Sequence, residues 1–285
     1  MRKSDLKAPF LKKLILLSEK SVHQGYPFDL AIFRDRRFEL TFDRPITLFV
    51  GENGTGKSTV LEAIARHCGF NLGGGSRDHH YENAPPAMEL ADALRLSWLP
   101  KVTNGFFLRA ESFFNFASYI DAMAHEWPAD IARSYGSRPL HGQSHGESLL
   151  ALFSNRFGSD RRSVYLLDEP EAALSPKRQL EFLAMLDEWH RSGKAQFIIA
   201  THSPIILSYP NATLLSFDGG AIHETRFEDT EHYRVTRSFL LDPAAHLAAL
   251  FAAAEAEPAP DGDVTGSSGS AHRDRSRSAR RPRRG

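Results

Sequence analysis

The sequence predicts an α/β fold in which a mostly parallel sheet is sandwiched between helices. Two observations support this prediction. First, the apolar run 46–50 is followed by a glycine-rich stretch, 51–59, and then by a helical pattern at 60–65. Second, the continuous apolar runs 163–167 and 195–200 read as buried strands separated by a helix-length segment, the arrangement that connects parallel strands.

The N-terminal part is predicted to be rich in antiparallel strands. A strand is expected at 10–17. Two more are expected at 29–33 and 37–42, where apolar residues largely alternate with polar ones. A turn containing Gly25 and Pro27 separates the first strand from the second. A strand-rich segment therefore precedes the glycine-rich stretch.

The remaining elements are expected to alternate between helices, strands and two long loops. In order, they are a loop at 69–86, a helix at 87–98, a strand at 105–110, a helix at 113–126, a loop at 127–146, a helix through 149–153, a helix at 177–192, a hairpin at 213–217 and 221–226, and a helical end at 231–254. We assign 1–254 to one domain, in which 69–157 includes a small helical subdomain. Residues 255–285 read as a disordered, arginine-rich tail.

The composition is that of a globular protein. In 285 residues, no apolar run approaches the about 18 residues that a membrane-spanning helix needs. The single cysteine, Cys68, excludes an internal disulfide and is typical of a reducing compartment, so we expect a cytoplasmic protein.

The net charge is zero only as a sum, because residues 271–285 carry seven arginines and one aspartate. This tail is a candidate for weak, salt-sensitive binding to nucleic acid.

The stretch from Gly51 to Thr59 fits the pattern G-x-x-x-x-G-K-[ST], which in a strand–loop–helix setting predicts a phosphate-binding loop. Its glycines let backbone N–H groups converge on an anion at a helix N-terminus. Lys57 is expected to neutralise the β- and γ-phosphates, and the Ser58 hydroxyl to hold Mg²⁺. The residues expected to contact the nucleotide are Gly51, Asn53, Gly54, Thr55, Gly56, Lys57, Ser58 and Thr59.

Polar residues also follow the two buried strands, at the edge where ligands bind in open α/β sheets. Asp168 is placed to hold Mg²⁺ together with Ser58, and Glu169 to polarise an attacking water. His202 occupies the corresponding end of the next strand, where a histidine can hydrogen-bond a γ-phosphate. The catalytic residues predicted from the sequence are therefore Lys57, Glu169 and His202.

Four motifs together resemble a known family. Residues 51–59, 144–148, 168–170 and 201–202 occur in the order and approximate spacing of an ATP-binding-cassette (ABC) ATPase. The chain looks like the soluble, non-transporter branch, which includes the RecF and structural-maintenance-of-chromosomes ATPases and many compact bacterial AAA family ATPases. The resemblance covers roughly residues 8–250 and implies a P-loop NTPase fold, ATP and Mg²⁺ as ligands, and ATP hydrolysis.

The resemblance also implies a homodimer around two ATP molecules. In the family, a signature at a helix N-terminus binds the γ-phosphate of ATP held by the opposite subunit, and Ser144 and Gly146 stand at that position here. His145 and Glu147 depart from the usual Leu-Ser-Gly-Gly-Gln, which argues against an ordinary transporter subunit. A membrane partner is therefore not expected.

Two further site residues rest on the resemblance. Glu111 stands near the family's glutamine that touches Mg²⁺ and water, although glutamate, or the neighbouring Arg109, would replace that glutamine. Tyr26 lies near the position of the family's adenine-stacking aromatic residue, and a plain turn aromatic beside Pro27 is the alternative.

The function expected is a soluble, dimerising ABC-type ATPase. The alternatives are the nucleotide-binding subunit of a transporter, a DNA-maintenance factor, or a nucleotide-gated switch from a toxin or phage-defence pair. The absence of an Asn-Lys-x-Asp guanine-reading motif argues against a GTPase.

Overall fold

A computed structural model gives the arrangement of the chain. It describes residues 6–21, 25–76, 88–135, 138–142, 144–157 and 161–256. The chain divides into two compact units, 1–238 and 239–285, and all the described site residues lie in the first. Residues 77–87, which contain most of the predicted loop, and the tail from 257 onward lie outside the described residues.

The described elements alternate between strands and helices. The strands are β1 (Leu11–Leu16), β2 (Glu39–Thr41), β3 (Ile46–Val50), β4 (Leu94–Trp98), β5 (Gly105–Arg109), β6 (Ser163–Asp168), β7 (Ala195–Ala200), β8 (Thr213–Ser216) and β9 (His223–Thr225). The helices are α1 (Lys57–Cys68), α2 (Met88–Ala93), α3 (Phe113–Glu126), α4 (Pro128–Tyr135), α5 (His145–Arg156), α6 (Pro176–Ser192), α7 (Pro204–Leu207), α8 (Glu231–Leu241) and α9 (Pro243–Ala256).

The main sheet confirms the predicted parallel architecture. Its strand order is β5-β6-β7-β3-β8-β9, and all neighbouring pairs are parallel except β8 and β9, which form the predicted hairpin. Arg109 lies opposite Asp168 in the register, and Asp168 lies opposite Ala200. The carboxyl ends of these strands therefore meet at the edge where β3 enters the glycine-rich loop.

The core lies on both faces of this sheet. Phe107 and Ile198 pack into a cluster with α1, whereas their neighbours Phe106 and Phe197 pack into a second cluster with α3, α5 and α6. Successive side chains of a strand point to opposite faces, so a strand that is covered on both sides needs apolar residues at every position. Each fully buried phenylalanine contributes about 1.5–3 kcal/mol relative to exposure.

A three-stranded antiparallel sheet, in the order β2-β1-β4, confirms the antiparallel part of the fold. Its third strand corrects the prediction of a helix over 87–98, because α2 ends at Ala93 and β4 begins at Leu94. Leu94 and Leu96 face one side of β4 and Arg95 and Ser97 the other, and Leu96 pairs with a buried residue of β1. This period-two pattern, rather than the helical one, decides the conformation.

The strand predicted at 29–33 is also wrong. Residues 31–33 form a short 3-10 helix that buries Ile32 and Phe33. The Ile32 side chain packs beside the backbone of Gly56, so this turn supports the glycine-rich loop rather than extending the antiparallel sheet. The strand predicted at 37–42 is present in a shorter form as β2.

The loop predicted over 127–146 contains a helix. α4 begins at Pro128, a residue whose fixed φ and missing N–H suit the first position of a helix. Tyr135, at the end of α4, is buried and its ring lies 6.0 Å from that of Phe116 in α3. Contact with α3 therefore stabilises a segment whose own sequence gives a weak helical signal.

The predicted helical end is interrupted at Asp242, which separates α8 from α9. Pro243 lacks the N–H that a continuous helix would need, and Asp242 Oδ1 accepts the N–H of Ala245 at 3.0 Å to start α9. α9 continues to Ala256, two residues into the segment predicted to be disordered. In the described part of the chain, no helix combines the length and apolar character needed to cross a membrane.

Candidate functional site

The glycine-rich loop closes tightly against its surroundings at two positions. At Gly51 φ is +145° and a Cβ would come within 2.9 Å of Asp218 Oδ1, while at Gly56 φ is +102° and a Cβ would come within 2.8 Å of Ile32 Cδ1. Both positions therefore require glycine on grounds of conformation and space. Asp218, which follows β8, also accepts the N–H of Glu52 at 2.8 Å and was not predicted from the sequence.

Lys57, the first residue of α1, is folded back onto the loop. Its Nζ donates to the carbonyl oxygens of Gly51 at 2.6 Å and Glu52 at 2.8 Å. The side chain is buried, and burial lowers the pKa of its ammonium group despite the nearby charges of Glu169 and Asp218. The lysine is thus held over the loop. Phosphate oxygens can replace the two carbonyl oxygens as acceptors of its N–H groups.

Ser58 and Asp168 meet directly. The Ser58 hydroxyl donates to Asp168 Oδ1 at 3.0 Å across 110 positions of sequence, which joins the start of α1 to the end of β6. Burial raises the pKa of Asp168 to about 6, because the carboxylate has lost water. A hydroxyl and a carboxylate are hard oxygen ligands that suit Mg²⁺, and a cation here would offset that loss.

Within the described residues, no group of three or more His, Cys, Asp and Glu side chains could hold a metal by itself. Mg²⁺ sites in phosphate-transferring enzymes commonly use one or two protein ligands and complete their shell with phosphate oxygens and water. The pair Ser58 and Asp168 fits that arrangement when nucleotide is bound.

Arg109, at the end of β5, connects three carboxylates. Its guanidinium lies 2.5 Å from Glu62 Oε1, 3.3 Å from Glu111 Oε2 and 3.9 Å from Asp168 Oδ2. Glu62 is buried in α1, and burial raises its pKa while Arg109 opposes that shift. The arginine therefore supplies positive charge next to Asp168. The sequence had suggested it only as an alternative to Glu111 in place of the family's glutamine.

The structure places Glu111 on the outer side of Arg109. Its side chain is 81% exposed, and no hydrogen bond or ion pair among the described residues joins it to Ser58 or Asp168. A role of Glu111 in metal binding stays a prediction.

Glu169 follows Asp168 and has a left-handed backbone, with φ +51° and ψ +52°. Its N–H donates to the carbonyl of Ala200 at 2.9 Å, which fixes this conformation against β7. Its Oε1 lies 3.7 Å from Nε2 of His202, and its side chain is half exposed. The two residues predicted to be catalytic therefore face each other at adjacent strand ends.

His202 is held from two sides. Its backbone N–H donates to Glu171 Oε1 at 2.6 Å, and its Nδ1 lies 2.8 Å from Nε2 of His232. Burial lowers the pKa of His202, and the charge of Lys57 lowers it further, so the imidazole is neutral near pH 7. Neither Glu171 nor His232 was predicted, because each acts through a contact that is distant in sequence.

Tyr26 lies beside the first turn of α1. Its hydroxyl is 2.9 Å from Oγ1 of Thr59, and its side chain is half exposed. Asn53 and Gly54 form the exposed tip of the loop, and the Thr55 hydroxyl donates to Glu52 O at 2.8 Å. Tyr26 thus shares a surface with the loop, as its predicted role requires, while contact with adenine stays a prediction.

The predicted signature forms the start of α5. Ser144 Oγ accepts the N–H of Glu147 at 3.3 Å, and Glu147 Oε2 accepts the N–H of Ser144 at 3.2 Å, which is a capping box. These hydrogen bonds with Ser144 lower the pKa of Glu147. Glu147 also contacts Arg178 at 3.3 Å, and a Cβ on Gly146 would lie 3.0 Å from Ala173 O.

The structure brings together residues 51–59, Asp168, Glu169, His202 and Tyr26. No hydrogen bond or ion pair of the described residues joins 144–148 to 51–59. The polar groups of the two regions are satisfied separately.

Two family models match the sequence. A model described as an AAA domain covers residues 29–90, and one described as an AAA domain, putative AbiEii toxin, Type IV TA system, covers 128–208. The first contains the glycine-rich loop, and the second contains the start of α5, Asp168, Glu169 and His202. No curated protein sequence matches the chain.

Several solved structures are similar to the chain. The ADP conformation of MJ1267, an ATP-binding cassette of an ABC transporter, is 15% identical, with 85% of this chain and 98% of that chain covered and a TM-score of 0.48. CbiO1 from Clostridium perfringens, part of the ABC transporter complex cbiONQ, is 16% identical over 84% and 99%, with a TM-score of 0.46. The SMC head domain from Thermotoga maritima is 18% identical over 76% and 98%, with a TM-score of 0.41.

Proposed function

We propose that this P-loop ATPase, whose sequence matches AAA-type domain models over 29–90 and 128–208, hydrolyses Mg-ATP in a homodimer whose two sites are shared between the subunits. The observation that carries the proposal is the contact between Ser58 and Asp168 at 3.0 Å, with Glu169 and His202 at the adjoining strand ends. This contact joins the glycine-rich loop to the end of β6, where the carboxylates of Asp168 and Glu169 lie.

Binding is assigned to the loop and the first turn of α1. The N–H groups at the N-terminus of α1 and the ammonium of Lys57 would take the phosphates, with the lysine exchanging its carbonyl partners for phosphate oxygens. Mg²⁺ held by Ser58 and Asp168 would neutralise charge on the phosphates. Tyr26 would pack against the adenine.

Hydrolysis is assigned to Glu169 and His202. Glu169 accepts a proton from the attacking water as the water oxygen forms a bond to the γ-phosphorus and the bond to the β-phosphate oxygen breaks. The N–H of His202 would donate to a γ-phosphate oxygen. The left-handed backbone of Glu169 turns its side chain away from the line of β6 and toward His202.

The second subunit would supply the start of α5. Ser144 is exposed at a helix N-terminus and is not bonded to the loop of its own chain, which leaves it available to a partner. Helix N-termini bind anions, so Ser144 and Gly146 are assigned to the γ-phosphate held by the other copy. Loss of that phosphate on hydrolysis would open the dimer.

We extend the proposal to the protein's organisation. Residues 1–254 form the ATPase domain, 69–157 include its helical subdomain, and the tail from 255 is a candidate for salt-sensitive contact with nucleic acid. We assign the protein to the cytoplasm, without a membrane partner. The alternative is the nucleotide-binding subunit of a transporter, which a co-purifying membrane protein would support.

A second candidate function is a nucleotide-gated switch with negligible turnover. The description of the family model over 128–208 names a putative toxin of a Type IV toxin–antitoxin system, which favours a defence-associated role. Both functions share the binding residues, and they differ in kcat. A wild-type protein that binds ATP and dimerises without turnover would favour the switch.

The test compares the wild type with Glu169→Gln. We expect the variant to bind ATP, to lose about 100-fold or more in kcat, and to accumulate as an ATP-bound dimer in analytical ultracentrifugation. Glu224→Gln, at an exposed position of β9, is the matched control and is expected to behave as the wild type. Full turnover by Glu169→Gln would refute the assignment of the general base.

A further inference from the structure

His232 contacts His202, the residue predicted to hydrogen-bond a γ-phosphate. Its Nε2 lies 2.8 Å from Nδ1 of His202, and the two ring centroids are 5.0 Å apart. His232 lies in the first turn of α8, where the Thr230 hydroxyl accepts the N–H of Tyr233 at 3.3 Å. The capped helix start therefore fixes the backbone that carries His232.

A single proton lies between the two nitrogens, and either ring could carry it. A neutral imidazole has one N–H and one lone pair, so the ring that donates in this contact determines where the other ring keeps its own proton. The two arrangements differ at the outer nitrogens, Nε2 of His202 and Nδ1 of His232. Both of these nitrogens are buried and lack a hydrogen-bond partner among the described residues.

The arrangement with His202 as donor is unfavourable at both ends. Its Nε2 would turn a lone pair toward the carboxylate of Glu169, 3.7 Å away. His232 would keep its proton on the buried Nδ1, which has no acceptor in the described part of the protein. Buried N–H groups without an acceptor are rare in native structures.

The arrangement with His232 as donor is more favourable at both ends. The proton of His202 then lies on Nε2, where the negative charge of Glu169 favours it. Nδ1 of His232 becomes an unprotonated nitrogen, and the remaining outer N–H, on Nε2 of His202, faces the carboxylate of Glu169 at 3.7 Å. The contacts around the pair therefore select one tautomer for each ring.

We propose that His232 is a positioning residue whose Nε2–H donates to Nδ1 of His202. This hydrogen bond keeps the proton of His202 on Nε2, the nitrogen that faces Glu169. On the function proposed above, the same N–H faces a γ-phosphate oxygen. Without this donor, His202 can rotate or place its proton on Nδ1, and in either state it loses the N–H directed at the site. The inference thus concerns how the ring is oriented, while His202 itself makes the contact with ATP.

The first test locates the proton by NMR on the full-length wild-type chain labelled with ¹⁵N at histidine. We expect a coupling across the hydrogen bond between the two ring nitrogens, with the one-bond proton coupling to His232 Nε2. The spectra of His202→Gln and His232→Gln assign the signals. A proton attached to Nδ1 of His202 would overturn the proposal.

The second test uses turnover of ATP. His232→Leu removes the donor and is expected to lower kcat about tenfold while KM for ATP changes by less than about twofold. His232→Gln retains an N–H donor and is expected to recover most of that loss. His223→Leu, at an exposed histidine of β9, is the control and should leave kcat unchanged. Equal losses in the Leu and Gln variants would contradict a role for the donated hydrogen bond.

The two tests separate this inference from the proposed function. A wild type that shows no ATP turnover would refute hydrolysis, and the NMR measurement would still decide which ring donates. A wild type that hydrolyses ATP but carries the proton on Nδ1 of His202 would refute the role of His232 alone.

Discussion

The loop region and the start of α5 satisfy their polar groups in different ways. In the loop region, Lys57 bonds to loop carbonyls and Ser58 bonds to Asp168, so the groups that a nucleotide needs are paired with partners it can replace. At the start of α5, Ser144 and Glu147 bond to each other within one helical turn. The first region is assembled from distant segments, whereas the second is a preformed helix terminus presented at the surface.

On the function proposed above, the loop region of one chain holds ATP and the start of α5 serves the nucleotide of a partner. Buried charges at the loop region hold each other in place, and their removal should affect folding strongly. The cap at α5 serves only its own helix, and its removal should affect folding weakly. The expected effect on stability therefore decreases from Arg109 through Asp168 to the cap of α5.

The largest effect is expected at Arg109. Arg109→Met leaves Glu62 buried without its positive partner, so the free energy of unfolding should fall by about 3–5 kcal/mol in urea denaturation. The double variant Arg109→Met with Glu62→Leu removes both charges and should recover most of the loss. Arg226→Met, at an exposed ion pair with Asp229, should have no measurable effect. Equal losses in the single and double variants would show that the charge is not the cause.

A smaller effect is expected from pH at Asp168. Its pKa in the folded protein is raised to about 6, above the usual aspartate value of 3.8, so the folded state binds the proton more tightly than the unfolded state. This residue therefore adds stability as pH falls from about 6 to about 4, in total roughly 3 kcal/mol, and that contribution is lost as pH rises.

Asp168→Asn cannot titrate and should lack this increment. The measurement is urea unfolding of both proteins at pH 4 to 7 without nucleotide or Mg²⁺. Parallel stability curves for the wild type and the variant would argue against a raised pKa at this position.

The smallest effect is expected at the cap of α5. Ser144→Ala removes the acceptor for the N–H of Glu147 and should cost about 1 kcal/mol in unfolding free energy. Ser144→Asp keeps an acceptor at the cap and should retain stability, yet its negative charge should repel a γ-phosphate. A loss of stability in Ser144→Asp as large as in Ser144→Ala would contradict the capping role.

The sequence was informative where the site is contiguous and less so where it depends on strand order. Gly51 to Thr59, Asp168 and His202 could be found because short motifs follow apolar strands. Two contacts could not be found in this way. Arg109 and Glu62 are 47 positions apart in sequence and His202 and His232 are 30 apart, and the packing of the fold brings each pair together.

The fold was predictable to a similar degree. The parallel strands are long apolar runs, which leave little ambiguity. β4 was assigned to a helix because its five residues alternate for too short a stretch to stand out beside α2. α4 was missed because a short helix depends on its contacts with α3 more than on its own sequence.

Shared sites can be tested most directly by mixing two inactive variants. Lys57→Ala should not bind phosphates, and Ser144→Arg should not serve a partner's nucleotide, so each variant alone should lack ATP turnover. In an equal mixture, half of the dimers contain one intact loop opposite one intact start of α5, and turnover should return to about a quarter of the wild-type value if the two sites act independently. A mixture as inactive as its components, in which mixed dimers are nevertheless detected, would contradict the sharing of sites between subunits.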